Sequence, residues 1–394
     1  MTDSTDVVII GAARTPFARL NGALSTLPAT TLGAHAIAAA LARSAGLTGE
    51  EVDAVYLGQV LQAGAGQNPA RQAALDGGVG PRAHASAVNK VCLSGLAAIV
   101  DGTRLLRSGE AQVVVAGGME SMSQAPHLLP GVRSGWGYGD RTAVDHLAYD
   151  GLTDAVEGIS MGALTDRGGP GGVALTREAQ DAWAAGSHQR AAAATESGRF
   201  AAEIAPVTVH RRKDEVQVTA DEGIRPETTA ETLARLRPAF TAEGAITAGN
   251  ASQLTDGAAA VVLTTRERAD AAGAQVLATV GACGQVAGPD NSLHHQPAAA
   301  IDQALHRAGW SAADLAHVEI NEAFAAVVLA SISELGVDGQ RVNPDGGAIA
   351  LGHPIGASGA RLVVHLAHAL QPGQRGAVGL CGGGGQGEAL LLSC

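Results

Sequence analysis

The sequence predicts an α/β protein made of two copies of one unit, with a different segment inserted into the first copy. Three observations predict it. Short apolar runs such as Val113-Val114-Val115 alternate with Ala-rich helical stretches, the pattern of mostly parallel strands covered by helices. The C-terminal third repeats the order of the N-terminal third at a nearly constant spacing. The stretch between them, about 118 to 245, has scattered Gly and Pro, little strand pattern and one clear helix.

In chain order, Val7-Val8-Ile9-Ile10 reads as a strand ended by Gly11. An Ala-rich helix runs from about Thr31 to Ser44 and stops at Gly46, a helix C-terminal signal. Thr48-Gly49-Glu50-Glu51 is a capping-box pattern, and Val52 to Leu57 reads as the next strand. A helix near 69–77, a strand near 85–89, a helix from Cys92 and a strand at 112–117 complete the unit. In the intervening segment, Thr176 caps a helix that reaches Ser197. The second copy opens with a helix from Ala298 to Arg307, stopped by Gly309, and Ser311 to Asp314 stands where Thr48 to Glu51 stood. Leu315 and Val318 answer Val52 and Val55 at a spacing of 263 residues. Ser358-Gly359 answers Ser94-Gly95, and Ala377 to Gly379 answers Val113 to Val115, at a spacing of 264. The predicted division is therefore residues 1–117 with 246–270 as the first half, 118–245 as an insertion, and 271–394 as the second half. The insertion carries Arg211-Arg212-Lys213 and Arg225, and suits a lid or ligand clamp.

Composition narrows the function. The chain has 394 residues, 46% hydrophobic and 16% charged, enough for a large core and too apolar for disorder. Net charge is -12 and only Lys90 and Lys213 are lysines, which argues against nucleic-acid binding. No apolar run reaches the length of a membrane span and no signal peptide is evident, so a soluble cytoplasmic protein is expected. Cys92, Cys283, Cys381 and Cys394 are irregularly spaced without a CxxC pair, which argues against a zinc site and a disulfide framework. The adjacent His294 and His295 lack carboxylate partners in the pattern, so no metal is expected.

Four segments carry the chemistry. Asn89-Lys90-Val91-Cys92-Leu93-Ser94-Gly95 leaves a strand and opens a helix. A thiol there faces the positive end of the helix dipole, which would lower its pKa and make Cys92 a nucleophile; a small core thiol is the alternative. The loop from Asn343 to Gly359 holds Gly352-His353-Pro354 at the corresponding place in the second copy. Two such helix starts facing across a pseudo-twofold axis would bring His353 to Cys92 as its general base. Cys381-Gly382-Gly383-Gly384-Gly385-Gln386-Gly387 ends a strand with bare backbone N–H groups, suited to an oxyanion hole or simply to a tight turn. Asn321-Glu322-Ala323-Phe324-Ala325 also ends a strand, where Asn321 could orient a water or a substrate carbonyl, or cap a helix.

Taken together, these segments resemble the thiolase family. Gln67 to Gln72, Gly117-Gly118-Met119-Glu120-Ser121-Met122-Ser123, Asp150 to Ala155 and Thr247-Ala248-Gly249-Asn250-Ala251-Ser252 match its pattern as well, so the resemblance covers essentially the whole chain. It implies a duplicated, five-layered α/β/α/β/α core with a loop domain inserted in the N-terminal half. It also implies a ping-pong acyl transfer between coenzyme A thioesters, with no bound cofactor. The pattern is nearest to the acetyl-CoA acetyltransferases; a broad-range 3-ketoacyl-CoA thiolase of fatty-acid β-oxidation is the alternative. Cys92 would carry the acyl group, His353 would take its proton, and Cys381 would deprotonate the second acetyl-CoA. His353 with a water on Asn321 would form one oxyanion hole, and the N–H groups of Cys92 and Gly383 the other. Leu152, Met161, Arg225, Ala248, Ser252, Ala323 and Phe324 would contact coenzyme A, and a homo-oligomer, dimer or tetramer, would form. The sequence departs from the family pattern at Ser160-Met161-Gly162, where many members have His-Met-Gly, at the Gly-rich stretch 166–172, and at 286–295.

Overall fold

The described residues of the computed structural model, 6–168, 175–210 and 214–394, form fourteen strands and eleven α-helices. The strands are β1 (Val7–Arg14), β2 (Ala18–Arg19), β3 (Ala54–Gly58), β4 (His84–Val88), β5 (Val113–Ser121), β6 (His127–Leu128), β7 (Val144–Asp145), β8 (Val207–His210), β9 (Glu215–Val218), β10 (Thr255–Thr265), β11 (Ala278–Ala287), β12 (His317–Ile320), β13 (Arg375–Gly382) and β14 (Gln386–Ser393). The helices are α1 (Ala29–Arg43), α2 (Pro69–Asp76), α3 (Ser94–Arg107), α4 (Met161–Asp166), α5 (Arg177–Glu196), α6 (Ala230–Leu233), α7 (Arg266–Ala272), α8 (Gln296–Ala308), α9 (Ala325–Leu335), α10 (Ala348–Leu351) and α11 (Ser358–Ala369).

Ten strands share one sheet in the order β12-β13-β14-β11-β1-β10-β5-β3-β4, with β2 beside β10. Only β12/β13, β3/β4 and β3/β5 pair parallel; the other pairs of this sheet are antiparallel. The expectation of a mostly parallel sheet is overturned. Parallel pairing survives where a helix makes the crossover, as α2 does between β3 and β4. Between β13 and β14 only Gly383 to Gly385 intervene, and so short a loop permits only an antiparallel return.

Strand alternation sorts side chains into layers. Val8 and Ile10 face Leu32 and Ile37 of α1, while Val7 and Ile9 face inward to α3 and α11. Val378, Leu380 and Leu390 of the second half close the other side of that inner layer. Val318 and Leu391 then point outward onto Ile301 of α8 and Val328 of α9. The result is a stack of helix, strand, helix, strand and helix layers, both strand layers belonging to the one sheet joined through β11 and β1, with α3 and α11 at the centre.

These central helices show the duplication as geometry. A Cβ on Gly95 would lie 3.0 Å from the backbone N of Ala360, and one on Gly359 would lie 2.5 Å from the backbone N of Leu96. Each glycine of one copy therefore meets the residue after its counterpart in the other. Only glycine permits this mutual approach.

Several local expectations need adjustment. The first strand passes Gly11 and continues to Arg14; its register shifts between Ile9 and Gly11. Gly11 is there because α1 crosses so closely that a Cβ would sit 2.3 Å from the Ala40 carbonyl. The segment 118–245 carries more strand than expected, in the pairs β6/β7 and β8/β9. Cys394 is held by backbone bonds to Gly373 and Gln374. Arg211 to Lys213 and positions 169–172 lie outside the described residues.

Behind the central helices runs a buried ion network. Arg14 bonds Glu203 and Asp221 at 2.7 Å each, and His365 bonds Glu203 at 2.9 Å and faces Asp345 at 3.3 Å. Glu319 accepts from Arg361 at 3.0 Å and pairs with His317 at 2.8 Å. The network joins β1, the segment after α5, and the second half.

Candidate active site

Cys92 sits in the turn between β4 and α3. The turn is held by short-range bonds: Val91 N donates to Asn89 Oδ1 at 3.1 Å, Lys90 N donates to Ser94 Oγ at 2.8 Å, and Ser94 Oγ donates to Val91 O at 2.6 Å. Lys90 Nζ reaches across to Glu388 of β14 at 3.0 Å. Val91 has φ +53°, a left-handed conformation that a β-branched residue adopts only when its surroundings impose it. The turn thus fixes the direction of the thiol.

The hairpin after β13 lies over this turn. A Cβ on Gly382 would be 2.7 Å from Leu93, and one on Gly383 would be 3.4 Å from Val91. The N–H groups of Cys92 itself and of Gly383 lie near enough to the Cys92 sulfur to favour its charged form, and the Cys92 charge reaches Cys381. Two N–H groups thus converge on one sulfur.

The prediction that the helix lowers the Cys92 pKa is overturned. The helix starts at Ser94, so Cys92 lies before the cap residue Leu93. The residue is only partly exposed, and its thiol lies deep among neighbouring atoms. Burial pushes the thiol up to about 11, against the two N–H bonds, and the nearby Glu120 charge adds to the rise. Burial also pushes Cys381 up, with Cys92 adding to it.

His353 follows the short α10. Its backbone N donates to Gln253 O and to Thr255 Oγ1, each at 3.1 Å. Its Nδ1 is 2.5 Å from Ser358 Oγ, and its Nε2 is 3.4 Å from Asn321 Nδ2. Burial, with the Arg361 charge, lowers the imidazole to about 4, so it rests neutral. Asn321 is buried at the end of β12, and its Oδ1 has no hydrogen-bond partner. Asn343 supports that strand end by bonding both the N–H and the carbonyl of Ile320 at 2.8 Å.

A cavity of about 510 Å³ opens at His353. Leu152, Met161, Ala248, Ser252 and Phe324 line it, as do Met122, Phe240 and Ile355. Cys92 packs against Met122 and Ile355. Phe240 and Phe324 meet edge to face at 6.1 Å. Ala323 stands behind this wall and accepts from Ser252 N at 3.0 Å. Arg225 does not line the cavity; it is exposed, two residues beyond Gly223, which packs on the lining residue Gln253. Ser160 lines the cavity and its hydroxyl caps α4.

Three carboxylates, two of them buried, were missed from sequence. Glu120 accepts from the N–H groups of Val60, Leu61 and Gly356 at 3.0 to 3.2 Å, and burial raises it to about 7 against those bonds. Glu322 accepts from Trp183, Ser187, Asn343 and Ile349, tying α5 to the loop that carries His353. Asp166 bonds Thr241 Oγ1 and the N–H groups of Ala245 and Ile246, tying the end of α4 to the segment before β10. Glu120 and Glu322 stand inside recognisable segments, but nothing in their spacing marks them as buried. His295 pairs with Glu334, and burial lowers His294 to about 4.

Comparison with known proteins agrees with this geometry. A family model described as the thiolase N-terminal domain matches residues 7–267, and one described as the thiolase C-terminal domain matches residues 274–394. A probable acetyl-CoA acetyltransferase of Mycolicibacterium smegmatis is 53% identical over 98% of this chain and all of its own. A probable acetyl-CoA acetyltransferase of Mycobacterium tuberculosis is also 53% identical, over 98% of this chain and 99% of its own. The acetyl-CoA acetyltransferase of Pseudomonas aeruginosa is 48% identical over 98% and 99%. With both family models matched end to end around the converging Cys92, His353 and Cys381 segments, the chain belongs to the thiolase family.

Proposed function

We propose that this chain is an acetyl-CoA C-acetyltransferase that condenses two acetyl-CoA to acetoacetyl-CoA and free coenzyme A, and catalyses the reverse thiolysis. The observation that carries the reading is the approach of the Cys92 turn, the Cys381 hairpin and the His353 loop, supplied by both halves, beside one apolar cavity that His353 lines.

In the first half-reaction Cys92 gives its proton to His353 Nε2 as its sulfur attacks the acetyl carbonyl. The bond to the coenzyme A sulfur breaks, and that sulfur takes the Cys381 proton. In the second, the Cys381 thiolate takes a methyl proton from another acetyl-CoA. The resulting carbanion attacks acetyl-Cys92, and the departing Cys92 sulfur regains its proton from His353. The high pKa of buried Cys381 suits both of its tasks, as a held acid and then as a strong base. The N–H groups of Cys92 and Gly383 would stabilise the oxyanion of the tetrahedral intermediate; His353 with a water on Asn321 would stabilise the enolate.

Coenzyme A would lie along Leu152, Met161, Ala248, Ser252, Ala323 and Phe324, with the exposed Arg225 meeting its phosphates. A role in cytoplasmic fatty-acid metabolism fits four cysteines that are all free. Assembly into a dimer or tetramer is supported by the half-exposed edge strand β4 and by exposed Leu129, Val132, Trp136 and Tyr138.

Intact-protein mass spectrometry after exposure to acetyl-CoA, with peptide mapping, tests the reading. One acetyl group on the Cys92 peptide, absent in Cys92→Ser, is expected. A Cys92→Ser variant that turns over normally would reject it.

A further inference from the structure

The Ser-Gly pair repeated in the two copies has a use that the reaction scheme leaves out. Ser94 and Ser358 start α3 and α11, the helices that cross at the centre. Both side chains are buried, with relative exposures of 0% and 1%, and neither opens to the cavity. Each hydroxyl donates backward to a carbonyl of the preceding turn: Ser94 to Val91 at 2.6 Å, Ser358 to Pro354 at 3.0 Å. Each also has a second polar neighbour. For Ser94 the donor is the N–H of Lys90. For Ser358 the group facing it is the Nδ1 of His353, at 2.5 Å.

The difference between the two neighbours decides a tautomer. A serine hydroxyl has one proton. With that proton directed to the Pro354 carbonyl, the oxygen can only accept from His353. Nδ1 must then carry the imidazole proton, and the lone pair lies on Nε2. Among the described residues no other partner competes for Nδ1, since His353 is otherwise bonded through its backbone N–H and through Nε2. Hydrogen bonding at one ring nitrogen sets the state of the other.

We propose that Ser358 is a positioning residue that holds His353 as the Nδ1–H tautomer, leaving the lone pair on Nε2 to take the Cys92 proton in place of its long contact with Asn321, while Ser94, its counterpart in the other copy, holds the turn that aims Cys92. The proposal rests on the reading of Cys92 and His353 given above. On proton transfer the S–H bond breaks and an Nε2–H bond forms. The imidazolium keeps its Nδ1–H on Ser358, and the serine proton stays on Pro354. One ancestral contact, present twice, would thus orient the base in one copy and the nucleophile in the other.

The test compares the wild type with Ser358→Ala, Ser358→Thr and Ser358→Cys. Ser358→Thr keeps the hydroxyl. Ser358→Cys nearly keeps the volume with a poor acceptor, so it carries the test if Ser358→Ala does not fold. Two quantities are read: kcat and KM for thiolysis, and the rate at which iodoacetamide alkylates Cys92 across pH. The alanine and cysteine variants should lose roughly 100-fold in kcat, the scale of positioned general-base catalysis, with KM within about twofold. Their alkylation profile should move to higher pH, and the threonine variant should restore both. Folded alanine and cysteine variants with the wild-type profile and kcat would overturn the proposal. So would a threonine variant as impaired as the alanine one with a native circular dichroism spectrum. Failure of the underlying reading looks different: the wild type itself would then take no acetyl label on Cys92.

Discussion

At Cys92, burial works against the hydrogen bonds, and burial is larger. The thiol is pushed up to about 11 while His353 is lowered to about 4, so the resting pair is thiol and neutral imidazole. Alkylation of Cys92 by iodoacetamide in the free protein should therefore keep rising as pH increases beyond 9. A plateau near pH 7 would mean that a preformed thiolate–imidazolium pair outweighs burial. The identity of this residue was legible from a Cys at a strand-to-helix turn. Its ionisation was not, because sequence offers the helix dipole but hides the depth of the turn. The same limit hid Glu120, whose burial depends on three N–H groups from distant segments.

Helix α11 shows how one element serves two ends. Its first residue, Ser358, faces His353, and its body enters the buried ion network through Arg361 and His365. Burial alone would lower the His365 imidazole, but Glu203 and Glu319 outweigh it and hold it up at about 10. Its stabilising charge is therefore fully present below the ordinary histidine value near 6.5 and fades as pH rises through 10. His365→Gln should cost about 3 kcal/mol or more at pH 7 by leaving carboxylates buried without their partner. It should also remove part of the wild type's loss of stability between pH 7 and 10. Urea melts across that range measure both, and parallel curves for the two proteins would contradict the assignment. The helices themselves were readable from caps such as Thr176 and from stops such as Gly309. The network was not, since its members come from six separate stretches and look like ordinary surface charges in sequence.

For the molecule as a whole, the doubled plan was legible because spacing survives where side chains have changed. Strand direction was less so, because a three-glycine hairpin and a helical crossover both appear as breaks between apolar runs. Light scattering at micromolar concentration should give a mass of two or four chains, driven by β4 and the apolar side chains near Trp136 and Tyr138. A monomer would mean that these surfaces stay bare. The contact of Gly95 with Ala360, mirrored by Gly359 with Leu96, has a last consequence. Neither ancestral unit now possesses a finished interior, since each lends its central helix to roof the other. A change tolerated in one lineage of the pair had to be answered in its twin, which ties the histories of nucleophile and base together at a point where neither does chemistry.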